Sequence, residues 1–130
     1  MNPLELAVKN ALASAGESKT ANKAYLEFIK ANFIVPIDKN SAKDNPEVLF
    51  LEENGQLFLP VFTAINYLDE WAKEISTTID LLKLSGVDLL KGIGENVIVC
   101  LNITSPIYKE FNAAEIARMK SMVLKLFNKA

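Results

Sequence analysis

The chain encodes a mixed α/β (α+β) domain: a central mixed sheet of about five strands with helices packed on both faces. Three observations predict this. Val97-Ile98-Val99-Cys100-Leu101 is apolar on both faces, which in a chain of 130 residues most economically means a central strand covered on each side. Short β-branched and aromatic runs alternate with longer stretches whose apolar residues recur at helical spacing. Finally, Gln56 to Phe62 is an apolar strand that passes through Pro60 and, after Thr63, straight into an amphipathic helix.

Taken in order, Leu4, Val8, Ala11, Leu12 and Ala15 fall at helical spacing with Glu5 and Lys9 as an i,i+4 pair. This predicts a helix over residues 3–14 that Gly16 ends. Thr20 is positioned to cap a second helix with Ala24, Tyr25, Phe28 and Ile29 inward. Phe33-Ile34-Val35 reads as a strand, and Pro36 confines it to an edge or a strand end. Asp38 to Pro46 reads as a loop. Val48–Leu51 and Leu57–Leu59 flank Asn54-Gly55, the pair that a tight hairpin turn demands. Thr63 is the expected cap of a helix carrying Ile65, Leu68, Trp71 and Ala72. Ile75–Ile79 alternates like a half-buried strand, and Leu81 to Leu90 suggests short helical turns broken at Gly86. A strand near 108–111 leads to Asn112 with Glu115 three positions on, the pattern of a capping box. The closing helix presents Ile116, Met119, Val123, Leu126 and Phe127, and its later turns carry Arg118, Lys120, Lys125 and Lys129. No repeat or linker divides residues 1–130, so the expectation is one domain.

Composition excludes more than it assigns. Fourteen basic and 16 acidic residues give a net charge of −2, so no clustered basic face is implied and nucleic acid is not an expected partner. Glu5 and Lys9 interrupt the would-be core of a signal peptide and no apolar run reaches the length of a membrane span, so the expected address is the cytoplasm. The single cysteine, Cys100, cannot form an internal disulfide. The chain has no histidine, which rules out Ser-His-Asp and Cys-His catalysis and zinc sites of the usual His/Cys type. No Ser-x-x-Lys spacing occurs. Gly92-Ile93-Gly94 precedes a strand where a dinucleotide fingerprint must follow one. Asp38, Asn40 and Asp44 lack the glycine and final acid of a calcium loop. Glu52-Glu53 and Asp69-Glu70 read as solvated acids, and Cys100, among apolar neighbours, as a core thiol. No catalytic residue, metal or cofactor is expected.

Two groups remain as binding candidates. Tyr67 and Trp71 lie i,i+4 on one helix, where core filling is the commoner role and a ligand platform the rarer. Asn102, Thr104 and Ser105 form a polar cluster at the end of the central strand, where open sheets tend to place ligands. The helix starts at Thr63 and Asn112 are expected nearby.

Several segments together resemble a known family. These are Leu59-Pro60-Val61-Phe62-Thr63 with Leu68 and Trp71, Val99-Cys100-Leu101-Asn102, and Lys109 through Arg118. Asn2-Pro3-Leu4 and the join from Phe28 to Pro36 also fit. The chain is similar over nearly its whole length to the N-terminal domain of SseB, the enhanced serine sensitivity protein family. Relatives commonly carry Asn-Pro after the central strand and Thr-Pro-Glu-Glu at the last helix start; here Ile103 and Asn112-Ala113-Ala114 stand in those places. The resemblance implies a bacterial α/β domain with no assigned enzymatic activity, sometimes connected with type III secretion. The expected function is a non-enzymatic protein-interaction or regulatory module with a protein partner or self-association. The alternatives are a small-molecule sensor for an amino acid or anion, and an effector-like protein.

Overall fold

The computed structural model describes residues 2–15, 17–42 and 44–127, with the backbone alone at Phe127. Gly16, Lys129 and the Phe127 side chain, on which expectations also fell, lie outside that description. The elements in chain order are α1 (Pro3–Ala13), α2 (Ser18–Lys30), β1 (Asn32–Asp38), β2 (Leu51–Glu53), β3 (Gln56–Val61), α3 (Ile65–Trp71), β4 (Ile79–Ser85), α4 (Gly86–Gly92), β5 (Val97–Leu101), β6 (Lys109–Phe111) and α5 (Ala113–Phe127). None of the described helices is long and apolar enough to cross a membrane.

The strands divide into a sheet of four, ordered β2-β3-β5-β6, and an antiparallel pair, β1-β4, rather than one sheet of five. β3 and β5 run parallel and the other neighbours antiparallel, so the larger sheet is mixed. The two sheets meet where Ile34 and Phe62 exchange backbone hydrogen bonds of 2.8 and 2.9 Å.

Two prolines explain the break. β1 continues through Pro36 to Asp38 instead of stopping before it, and Pro36 is buried. Its carbonyl accepts from Leu49 at 3.0 Å, so its missing N–H faces that segment and leaves the ladder with β4 intact. β1 therefore has neighbours on both sides, and β4 is the outer strand of the pair. Pro60 likewise falls between the end of β2, which pairs with β3 only from Gln56 to Phe58, and the Ile34 bridge at Phe62. No ladder donor is required of it there.

Strand alternation separates two cores. Leu59, Val61, Val97, Val99, Leu101 and Phe111 join Phe33 and Val35 against α1, α2, α4 and α5, with Phe28, Leu90 and Met119 almost wholly buried among them. On the opposite face Phe62, with Ile34, packs against Leu68, Ala72, Tyr67 and Trp71 of the α3 region and against Ile79. Helices thus occupy both faces, four on one and α3 on the other. β5 lies between β3 and β6, as its doubly apolar sequence requires, and Cys100 is 2 % exposed.

The middle of the chain departs from expectation. Residues 72–78 form turns, and the strand begins only at Ile79 and runs to Ser85, so that Leu81–Leu84 is extended rather than helical. Pairing with β1 over seven residues overrides the local pattern. α4 starts at Gly86 behind a Ser85 cap whose hydroxyl accepts from Asp88. Thr20 does not cap α2, which already starts at Ser18; its hydroxyl donates to the Glu17 carbonyl at 2.9 Å. Thr63 does not cap α3 either; Ala64 holds the N-cap position without a side-chain bond.

Candidate functional site

Asn102 closes the carboxyl end of β5 in a left-handed conformation, φ 54°, which asparagine tolerates better than most residues. Its amide donates to the Val61 carbonyl at 2.9 Å, extending the parallel pairing one step past the strands. Because Thr63 follows the neighbouring strand β3, the two side chains meet. Asn102 Oδ1 accepts from the Thr63 amide and Asn102 Nδ2 donates to Thr63 Oγ1, both at 3.0 Å.

The Thr63 hydroxyl then donates to Oε2 of Glu5, only 7 % exposed. The other oxygen of Glu5 accepts from the Asn2 amide at 3.0 Å, while the Asn2 side chain accepts from the Glu5 amide at 2.8 Å. A single glutamate therefore completes the capping box of α1 and fastens that helix to the ends of β3 and β5. Sequence reasoning missed Glu5 here. The Asn2-x-x-Glu5 spacing signals the cap, whereas the reach to Thr63, 58 positions away, has no local signature.

The remaining strand-end residues do turn work. Ser105 donates its amide to the Asn102 carbonyl at 3.1 Å and its hydroxyl accepts from the Ile107 amide at 3.2 Å. Thr104 is exposed with φ 71°, a left-handed conformation that is costly for a β-branched residue. The Asn112 helix start lies elsewhere. β6 runs antiparallel to β5, with Leu101 opposite Lys109 and Val99 opposite Phe111, so Asn112 is carried away from Asn102 toward the opposite end of the strand. Its side chain is engaged in the predicted capping box, accepting from the Glu115 amide at 2.9 Å while Glu115 accepts from the Asn112 amide. Tyr67 and Trp71 are half-buried in the second core, the indole 5.5 Å from the Phe62 ring centre.

Other groups with chemical potential are similarly occupied. The Tyr108 hydroxyl lies 3.7 Å from Cys100 Sγ and donates to the Glu110 carboxylate. Burial pushes the Cys100 thiol above its ordinary pKa, against the smaller opposing effect of the Tyr108 hydrogen bond, so the nucleophilic thiolate is disfavoured. Tyr25 donates to Glu115 at 2.8 Å, and Lys109 pairs with the same carboxylate at 3.2 Å. Among the described residues no three His, Cys, Asp or Glu side chains gather as metal ligands would, and no buried side-chain polar atom lacks a partner. Five surface grooves are lined by none of Glu5, Thr63, Tyr67, Trp71, Asn102, Thr104 and Ser105. One of 240 Å³ runs between α4 and α5 over Leu90, Val123 and Leu124.

The SseB protein N-terminal domain family matches residues 8–118. The chain belongs to that family. Asn102 and Thr63 fall inside the matched SseB segment, and Glu5 falls just before it. No curated protein and no solved structure matches the chain.

Proposed function

We propose that this SseB-family domain is a non-enzymatic, cytoplasmic protein-interaction or regulatory module. The observation that carries the reading is an apolar row on the α3 side of the four-stranded sheet. Leu51 pairs with Phe58 and Phe58 with Ile98, so the three stand abreast on neighbouring strands. None of them belongs to either core; Leu51 is 39 % exposed, and Phe58 and Ile98 are half-buried. A row of this kind on a sheet face is what a partner covers. The strand-end cluster supports the same reading from the other direction. Asn102, Thr63 and Glu5 satisfy one another, so a small molecule would have to break those bonds to enter.

A photo-crosslinking side chain placed at position 51 tests this in native lysate. Protein adducts are expected from position 51, and few from an exposed control such as Asn10. Absence of adducts, together with turnover of a metabolite by the purified protein, would overturn the reading.

A further inference from the structure

The strands that carry the apolar row also fix the charge around it. Leu51 and Glu53 share a face of β2, and the pairings Phe58 with Ile98 and Cys100 with Glu110 bring Glu110 of β6 to that same side. Glu53 lies two register positions below the row on the outer strand β2, and Glu110 two above it on the opposite outer strand. Both are exposed. The residues of the four strands on this side are Leu51, Glu53, Gln56, Phe58, Pro60, Ile98, Cys100 and Glu110, which include two acids and no base. The lysine of β6, Lys109, is on the other face, paired with Glu115 of α5.

With strands about 4.8 Å apart, the row Leu51-Phe58-Ile98 spans about 10 Å, the width of one helix. The two acids stand diagonally beyond it. We propose that this face docks one amphipathic helix of a protein partner, its apolar stripe lying on Leu51, Phe58 and Ile98 and its flanks carrying Lys or Arg toward Glu53 and Glu110. This rests on the interaction reading above and adds the partner's chemistry. A second copy of this chain presenting the same face would set acid against acid and is disfavoured.

Two synthetic helical peptides of about five turns test the proposal, identical in their leucine stripe and flanked by lysine in one and glutamate in the other. The lysine peptide is expected to bind the intact protein, more weakly as salt is raised. Leu51→Lys should abolish binding, and Glu53→Lys with Glu110→Lys should weaken it about tenfold while admitting the glutamate peptide. Circular dichroism confirms that each variant is folded. Equal binding of both peptides would overturn the charge assignment and leave the interaction reading standing. Binding of neither peptide, with adducts still forming from position 51, would overturn the helical partner alone. Binding of neither, with no adducts, would remove both. A concentration-dependent dimer dissolved by Leu51→Lys would assign the face to self-association and overturn the heterologous partner.

Discussion

Asn102 spends both ends of its side-chain amide on Thr63 while its own backbone sits at φ 54°. Replacing it with alanine removes both bonds, leaves the amide of half-buried Thr63 short of an acceptor, and puts a residue ill suited to that conformation in its place. Asn102→Ala should therefore lower stability by about 3 kcal/mol in urea unfolding. Thr63→Val should cost about 1–3 kcal/mol, and the double variant should lose less than the sum, because the two changes break the same bonds. Full additivity would show that the cluster is not one unit. Tyr25 offers a second single-residue test. Burial first, then the hydrogen bond to Glu115 and its charge, push this phenol up to about 12 from an ordinary 10.0. The unfolded chain thus loses the proton before the folded one does. The associated stability is complete below pH 10 and drains away as pH rises toward about 12. Over that window stability should fall more gently with pH in Tyr25→Phe than in the parent, as followed by urea unfolding at each pH.

At the level of elements, α4 abuts the end of α2 through a residue without a side chain. A Cβ on Gly86 would stand 2.1 Å from the Phe28 carbonyl oxygen and 2.8 Å from that of Ile29, and the Gly86 amide donates to the Ala31 carbonyl at 2.8 Å. Gly86→Ala must push backbone against backbone and should cost about 3 kcal/mol. Gly92, in the last turn of the same helix, has nothing within 4 Å of its would-be Cβ. Gly92→Ala should be neutral or stabilise by up to about 1 kcal/mol. Thermal unfolding of the two variants side by side separates close packing from helix propensity. The contrast also explains what could be foreseen. The Asn54-Gly55 turn, with φ 53° and 80°, and the Asn112–Glu115 capping box are settled within four residues, so sequence suffices. β4 is a strand because β1, some 50 positions away, pairs with it. Its own Leu81-Leu82-Lys83-Leu84 is equally good helix material. The candidate site divides the same way. Neighbourhood of Thr63 and Asn102 follows from adjacent strand ends, whereas Glu5 enters by tertiary packing, and the Asn112 start leaves because β6 reverses direction.

Across the whole molecule, one thiol reports whether these parts fold as a unit. Cys100 lies on the central strand, 2 % exposed, facing the side away from the four-helix core that Gly86 helps to close. Alkylation needs the thiolate, which burial disfavours, and needs access, which the folded state denies. Reaction must then proceed through opening. If the opening is global, native labelling should be slower than labelling in denaturant by roughly 10³-fold or more. Gly86→Ala, acting at the far α2–α4 contact, should accelerate it by the factor that its stability loss dictates, about 100-fold for 3 kcal/mol. A slow rate indifferent to Gly86→Ala would mean that the Cys100 side opens locally, independent of the helices. Prompt labelling of the parent protein would mean that the thiol is reachable in the native fold, contradicting the central placement of β5. Matching factors in stability and labelling would tie both faces of the sheet to one cooperative transition, in which a helix docked over Leu51, Phe58 and Ile98 would also slow labelling.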